Sequence, residues 1–154
     1  MRTIIASATR TVVIGPDEPF VIIGERINPT GRKQLLAELQ AGNLARVRQD
    51  AISQTEAGAH ILDVNAGVPG ADEVALLTQM VKEVFVVTDL FLCFDSVNSV
   101  VFEVALSLYQ GKALINSVTG EEESMERVLP LVKKYNAAVI AMPNDRAGIQ
   151  LDPQ

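Results

Sequence analysis

Leu90-Phe91-Leu92-Cys93-Phe94-Asp95-Ser96 is a short apolar run closed by a carboxylate and a hydroxyl. So brief a run, rich in aromatic residues and bounded by polar ones, reads as a strand covered on both faces. Successive strand side chains point to opposite faces, so if Asp95 points into a site, Cys93 and Phe91 share its side, while Leu92 and Phe94 face covering helices. The pattern recurs on either side: Ile61 falls beside Asp63, and Leu114 beside Asn116. Each apolar strand interior thus ends in an inward polar side chain at its C-terminal edge. A carboxylate or amide placed there escapes the cost of dry burial only by meeting water, a neighbour or a ligand, and a cluster of them favours the ligand.

Outward from this centre, short β-rich runs alternate with amphipathic stretches, the order that argues parallel strands joined by crossover helices. The runs are Phe20–Ile23, Ile61–Asp63, Leu90–Phe94, Ala113–Asn116 and Ala138–Ala141. Between them, Leu44, Val47 and Ala51 keep helical spacing and stop at Gly58, and Val74, Leu77, Val81 and Val84 trace the next stripe. Val100, Val101, Val104 and Leu108 form a third, with Ser96 or Asn98 as its N-cap. Met125, Val128, Leu129 and Val132 form a fourth, in which Pro130 predicts a kink or a later start. Ahead of all these, Thr3 to Ser7 and Thr11 to Ile14 read as a small hairpin, closed off by the turn Gly15-Pro16-Asp17. The chain therefore divides into a hairpin over 1–19 and a strand-helix portion over 20–154.

The chain has 154 residues, 48% hydrophobic and 21% charged, enough for one domain with one core. A net charge of -6 without a Lys/Arg block argues against nucleic acid as a partner. Cys93 is the only cysteine and His60 the only histidine, which excludes a disulfide framework and a Cys/His zinc site and fits a reducing compartment. The start of the chain is too polar for a secretory signal, and no apolar stretch reaches membrane-spanning length, so a cytoplasmic protein with no membrane partner is expected. Gly24-Glu25-Arg26-Ile27-Asn28-Pro29-Thr30-Gly31 lacks the dinucleotide fingerprint, and Gly67-Val68-Pro69-Gly70 lacks the Gly-Lys-Ser/Thr of a P-loop.

A ring of strand-end carboxylates and amides suits a flat heterocycle rich in N–H donors. A carboxylate takes two parallel N–H bonds from an aminopyrimidinone edge, as in a pterin, and an Asn offers a donor and an acceptor. Four stretches carry a resemblance in order: Gly24 to Gly31; Leu62-Asp63-Val64-Asn65-Ala66-Gly67; Phe94-Asp95-Ser96; and Ile115-Asn116-Ser117-Val118-Thr119-Gly120-Glu121-Glu122. Together they are similar to the strand-end motifs of pterin-binding barrels, most of all the methyltetrahydrofolate:corrinoid methyltransferases and the folate domain of cobalamin-dependent methionine synthase. The resemblance implies an α/β fold of the (β/α)8 TIM-barrel type. It also implies that methyltetrahydrofolate passes its N5-methyl group to cobalamin carried by a partner corrinoid protein. Carried over by motif, Asp95 and Asn116 match the pterin-contacting Asp and Asn, and Glu25, Asn28, Asp63 and Asn65 match the polar positions after the first two strands. Catalysis in such an enzyme rests on holding the folate while N5 gains a proton, and no acid of this chain can be named for that step.

The resemblance ends after the fifth strand, whereas a barrel of this class needs about 250 residues and eight strands. Asp152-Pro153 resembles an Asp-Pro of the sixth strand, but no helix or apolar strand precedes it. Five strands leave open edges, so an incomplete barrel is expected, completed by another chain or paired with a second copy. Dihydropteroate synthase, which shares the barrel and the pterin site, is the alternative enzyme, and a truncated, non-catalytic fragment the alternative outside enzymes. A Schiff-base aldolase is set aside because Lys112 lies at the start of its strand.

Simpler roles compete for several residues. The strand-end acids and amides would otherwise cap helices or close loops, and Asn28 and Asn65 would form turns beside Pro29 and Gly67. Arg26 is expected to pair with a neighbouring acid, His60 to be solvated or hydrogen-bonded, and Glu121-Glu122-Glu123 to favour a helix N-terminus.

Overall fold

A computed structural model describes residues 2–146 and 148–149; Asp152 and Pro153 lie outside the described residues. Its centre is a five-stranded parallel sheet in which sequence order is spatial order: β3 (Ile23–Ile27), β4 (Ile61–Asn65), β5 (Phe91–Asp95), β6 (Leu114–Thr119) and β7 (Ala138–Met142). The crossovers carry α1 (Lys33–Gln40) and α2 (Ala45–Glu56), α3 (Glu73–Val87), α4 (Ser99–Leu108) and α5 (Glu122–Tyr135). Helices α2 to α5 pack against one another in turn, α2 on α3, α3 on α4 and α4 on α5. Among the described residues this is an arc of a barrel that does not close, with β3 and β7 as its edges.

The alternation read from the sequence sorts the core into two clusters. Leu62, Val64, Leu92, Phe94 and Ile115 face outward and pack under the helices with Leu77, Met80, Val84, Val101 and Phe102. Ile61, Phe91, Cys93 and Leu114 face inward and are joined by Ala138 and by Ile5. Ile5 belongs to β1 (Thr3–Ala6), which pairs antiparallel with β2 (Thr11–Ile14). The hairpin thus lays a fully buried isoleucine on the inward apolar side chains, a floor that its sequence alone did not reveal. It is tied to the sheet by reciprocal backbone bonds between Ala6 and Lys112, at 3.0 and 2.8 Å. Gly111 lets the hairpin approach: its φ is +138°, and a Cβ would meet the Ala6 carbonyl oxygen at 2.2 Å.

Several expectations need correction. The first parallel strand is Ile23–Ile27 rather than Phe20–Ile23, and Phe20 is largely exposed. The pairing starts later because Ile22 still serves the strand entrance: its carbonyl accepts from His60 and Ile61, and its N–H donates to His60 Nδ1 at 3.1 Å. The α4 stripe is rotated: Val101, Phe102, Ala105 and Leu106 are buried, whereas Val100 and Leu108 are exposed. Asn98 sets that phase by accepting from Val100 N–H at 3.0 Å, and Ser96 in turn accepts from Asn98 N–H. In α5, Met125 and Leu129 are partly exposed and only Val128 is buried. Helix α5 also runs through Pro130, which lies on its exposed side, where water can satisfy the carbonyl that lost its donor. Helix α1 and the two-residue strands β8 (Asn144–Asp145) and β9 (Gly148–Ile149) were not anticipated.

Candidate functional site

Parallel register determines which strand-end residues share a level. Asn65 is opposite Asp95, and Asp95 opposite Asn116, so three polar side chains form one row across β4, β5 and β6. Asp63 is opposite Cys93 and Cys93 opposite Leu114, one inward position deeper. Irregularities flank the row: the pairing of β3 shifts between Gly24 and Ile27, and that of β6 between Asn116 and Val118. Bulges of this kind re-aim side chains where a site requires it.

The upper row is linked by side-chain hydrogen bonds. Asn65 Nδ2 donates to Asp95 Oδ2 at 2.9 Å, and Asn28 Nδ2 reaches the same oxygen at 3.4 Å and Glu25 Oε1 at 3.0 Å. Both asparagines also close turns, as their simpler role required: Asn65 Oδ1 accepts from Gly67 N–H at 2.7 Å and Asn28 Oδ1 from Thr30 N–H at 2.9 Å. Each asparagine thus closes its turn with the oxygen and braces a neighbouring carboxylate with the amide. Asp95 and Asn116 line a cavity of about 230 Å³ with Ser96, Ser117, Thr119 and Arg127 among its walls. Glu25 is exposed and Asn28 buried.

Asp63 differs from the others. It is 1% exposed, and its Oδ1 accepts from Asn116 Nδ2 at 3.2 Å. Its Oδ2 is buried without a hydrogen-bond partner among the described residues, although the weakly donating Cys93 thiol lies against the carboxyl. Burial is the main reason its pKa rises to about 6, opposed by Cys93 and Asn116 and reinforced by the charges of Asp95 and Glu25. Asp95 is also shifted up, first by burial and then by Glu25 and Glu73, against the Asn65 hydrogen bond. The Cys93 thiol is pushed up by burial and by Asp63, which keeps it protonated and makes it packing rather than a nucleophile.

The brace beneath the β3 loop was missed by the sequence reading. Gln54 Oε1 accepts the Arg26 N–H at 2.8 Å, taking up a donor that the bulge removes from the ladder. Gly24 makes room for it, since a Cβ there would lie 2.5 Å from Gln54 Oε1. Arg32 donates to the Arg26 carbonyl and pairs with Asp50 at 2.6 Å. The ion pair expected of Arg26 is therefore made by Arg32, while the Arg26 side chain is exposed. A signal was present: Asp50 and Gln54 share the buried face of α2 with Val47 and Ala51, and polar residues on an apolar stripe need partners.

The family model described as pterin binding enzyme matches residues 24–152. A methylcorrinoid:tetrahydrofolate methyltransferase of Eubacterium limosum is 34% identical over 135 residues, covering 84% of this chain and 48% of that protein. A methionine synthase of Mycobacterium tuberculosis is 28% identical over 149 residues, covering 94% of this chain and 12% of the relative. The chain thus spans less than half the length of these relatives. Among solved structures, 7,8-dihydropteroate synthase from Vibrio fischeri superposes with a TM-score of 0.58 at 16% identity, covering 92% of this chain and 49% of that one. That likeness shows that the arc has the fold of part of a TIM-type barrel, and by the family match over residues 24–152 the chain belongs to the pterin binding enzymes.

Proposed function

We propose that this chain holds the pterin ring of methyltetrahydrofolate and serves a methyl transfer between the folate N5 and a corrinoid on a partner protein. The observation carrying this reading is the register pair Asp95 and Asn116, a carboxylate and an amide side by side on one cavity. A carboxylate with one oxygen left to accept an N–H, beside an amide, matches the edge of an aminopyrimidinone. The relative named a methylcorrinoid:tetrahydrofolate methyltransferase, at 34% identity, favours this chemistry over that of dihydropteroate synthase, whose likeness is one of fold.

In this reading Asp95, Asn116, Asn65, Asn28 and Glu25 surround the ring, and the chain contributes orientation and exclusion of water more than covalent chemistry. Asp63, 1% exposed and with its carboxyl pKa raised to about 6, acts in this reading through Asn116 rather than on the ring. The open edges β3 and β7 are where further strands, from another chain or a second copy, would complete the barrel. Calorimetric titration with methyltetrahydrofolate, with the mass in solution measured alongside, tests the proposal. Saturable binding is expected; binding of a dihydropterin but not of methyltetrahydrofolate would favour the dihydropteroate synthase alternative, and binding of neither would overturn the pterin site.

A further inference from the structure

The hydrogen bond between Asn116 and Asp63 joins a residue on the cavity to one sealed beneath it. An ionised carboxylate only accepts, so an Asn facing it must present its amide N–H. The amide oxygen of Asn116 is then turned away from Asp63. Asp95 is arranged alike: Asn65 and Asn28 occupy Oδ2, and Oδ1 has no recorded donor among the described residues.

We infer that Asp63 is a positioning residue: by accepting the Asn116 amide N–H it fixes the flip of that amide, so that the Asn116 oxygen meets the ligand as an acceptor. Resting on the pterin reading above, this adds a sign to the site. Two neighbouring positions, Asp95 and Asn116, both present acceptors, so the ligand edge must offer N–H donors at two adjoining points. A ring with an acceptor at the second point meets oxygen against oxygen and is rejected. Asp63 meets the Cys93 thiol of β5 and the Asn116 amide of β6, and feels the charges of Asp95 of β5 and Glu25 of β3. Proton uptake on Asp63 gives it a donor of its own, and the amide of Asn116 is then no longer held in one orientation.

The side-chain amide of Asn116, followed by nitrogen-15 NMR without ligand, is the first readout. In the natural chain its protons should shift as pH falls through about 6, and D63N should abolish that titration. The second readout is affinity for methyltetrahydrofolate, expected to fall about 10-fold in D63N without loss of thermal stability. The exchanged pair D63N/N116D restores a donor facing an acceptor, keeps an acceptor toward the ligand, and should recover most of that affinity. An Asn116 amide indifferent to D63N, or equal affinity in D63N and the natural chain, would overturn the inference. If the natural chain binds no pterin, the function proposed above fails, and the NMR titration alone decides whether Asp63 orients Asn116.

Discussion

Asn65 donates to Asp95 Oδ2 at 2.9 Å across the register pair of β4 and β5, and Asp95 lines the cavity beside Asn116. The Asp95→Asn variant removes the charge proposed above to receive the pterin and replaces one acceptor with a donor. Affinity for methyltetrahydrofolate should fall about 10- to 100-fold, the worth of a charge-assisted hydrogen bond. Unchanged affinity in a calorimetric titration would remove Asp95 from the site.

The raised pKa of Asp63 makes a prediction about pH. Its carboxyl moves from the ordinary 3.8 to about 6 on folding, so between those values the folded chain keeps a proton that the unfolded chain has lost. The resulting stabilisation is fully present below about pH 4 and is lost as pH rises through 6. Glu38 and Glu103, held low by Arg46 and Lys134, act in the opposite sense at lower pH. The difference between the natural chain and Asp63→Asn isolates the one group. In urea unfolding at pH 7 the variant should be more stable by about 1–3 kcal/mol, with the gap closing as pH falls to about 3.5. A gap independent of pH would refute the assignment.

Arg32 should matter more than its surface neighbours. Its guanidinium meets both Asp50 and the Arg26 carbonyl, with the pair mostly shielded from water. Arg32→Ala leaves Asp50 without its countercharge and should cost about 2–3 kcal/mol, below the value for a fully buried pair because some solvent reaches it. Hydrogen exchange should quicken across residues 24–32, the loop that carries Glu25 and Asn28. Unaltered protection there would show that the loop does not depend on this brace.

The hairpin floor predicts a contrast between neighbours. Ile5 is fully buried and Ile4 is 48% exposed. Ile5→Ala should lower stability by about 2–4 kcal/mol, whereas Ile4→Ala should stay within about 0.5 kcal/mol. Equal effects in thermal melts would mean that the hairpin does not pack as described.

Much of this arrangement is legible along the chain. Period-two alternation around Leu90–Asp95 assigns Phe91 and Cys93 to one face and Leu92 and Phe94 to the other, and the two core clusters have that membership. Alternation is local chemistry and survives folding unchanged. Helix phase was less secure, because Val100 and Val101 are equally apolar and only the Asn98 cap and the bulk of Phe102 select the face that is buried. The start of β3 escaped for a similar reason: Phe20, Val21 and Ile22 are good strand formers, but the partner strand β4 begins opposite Ile23.

That Asp95 closes its strand could be read from residue order and alternation; Glu25, Asp63 and Asn116, read as strand ends, instead lie inside β3, β4 and β6, which run on to Ile27, Asn65 and Thr119. Which of the four line a cavity could not be read. Alternation reports the side on which a residue lies but not its depth, and depth comes from the stagger of parallel strands far apart in sequence. That stagger places Asp95 and Asn116 on one level and Asp63 beneath them, sealed and unable to reach the cavity except through Asn116. The same long-range packing brings Gln54, Asp50 and Arg32 under the β3 loop and Ile5 under the sheet. These contacts depend on where whole elements come to rest, so only the tertiary structure decided them.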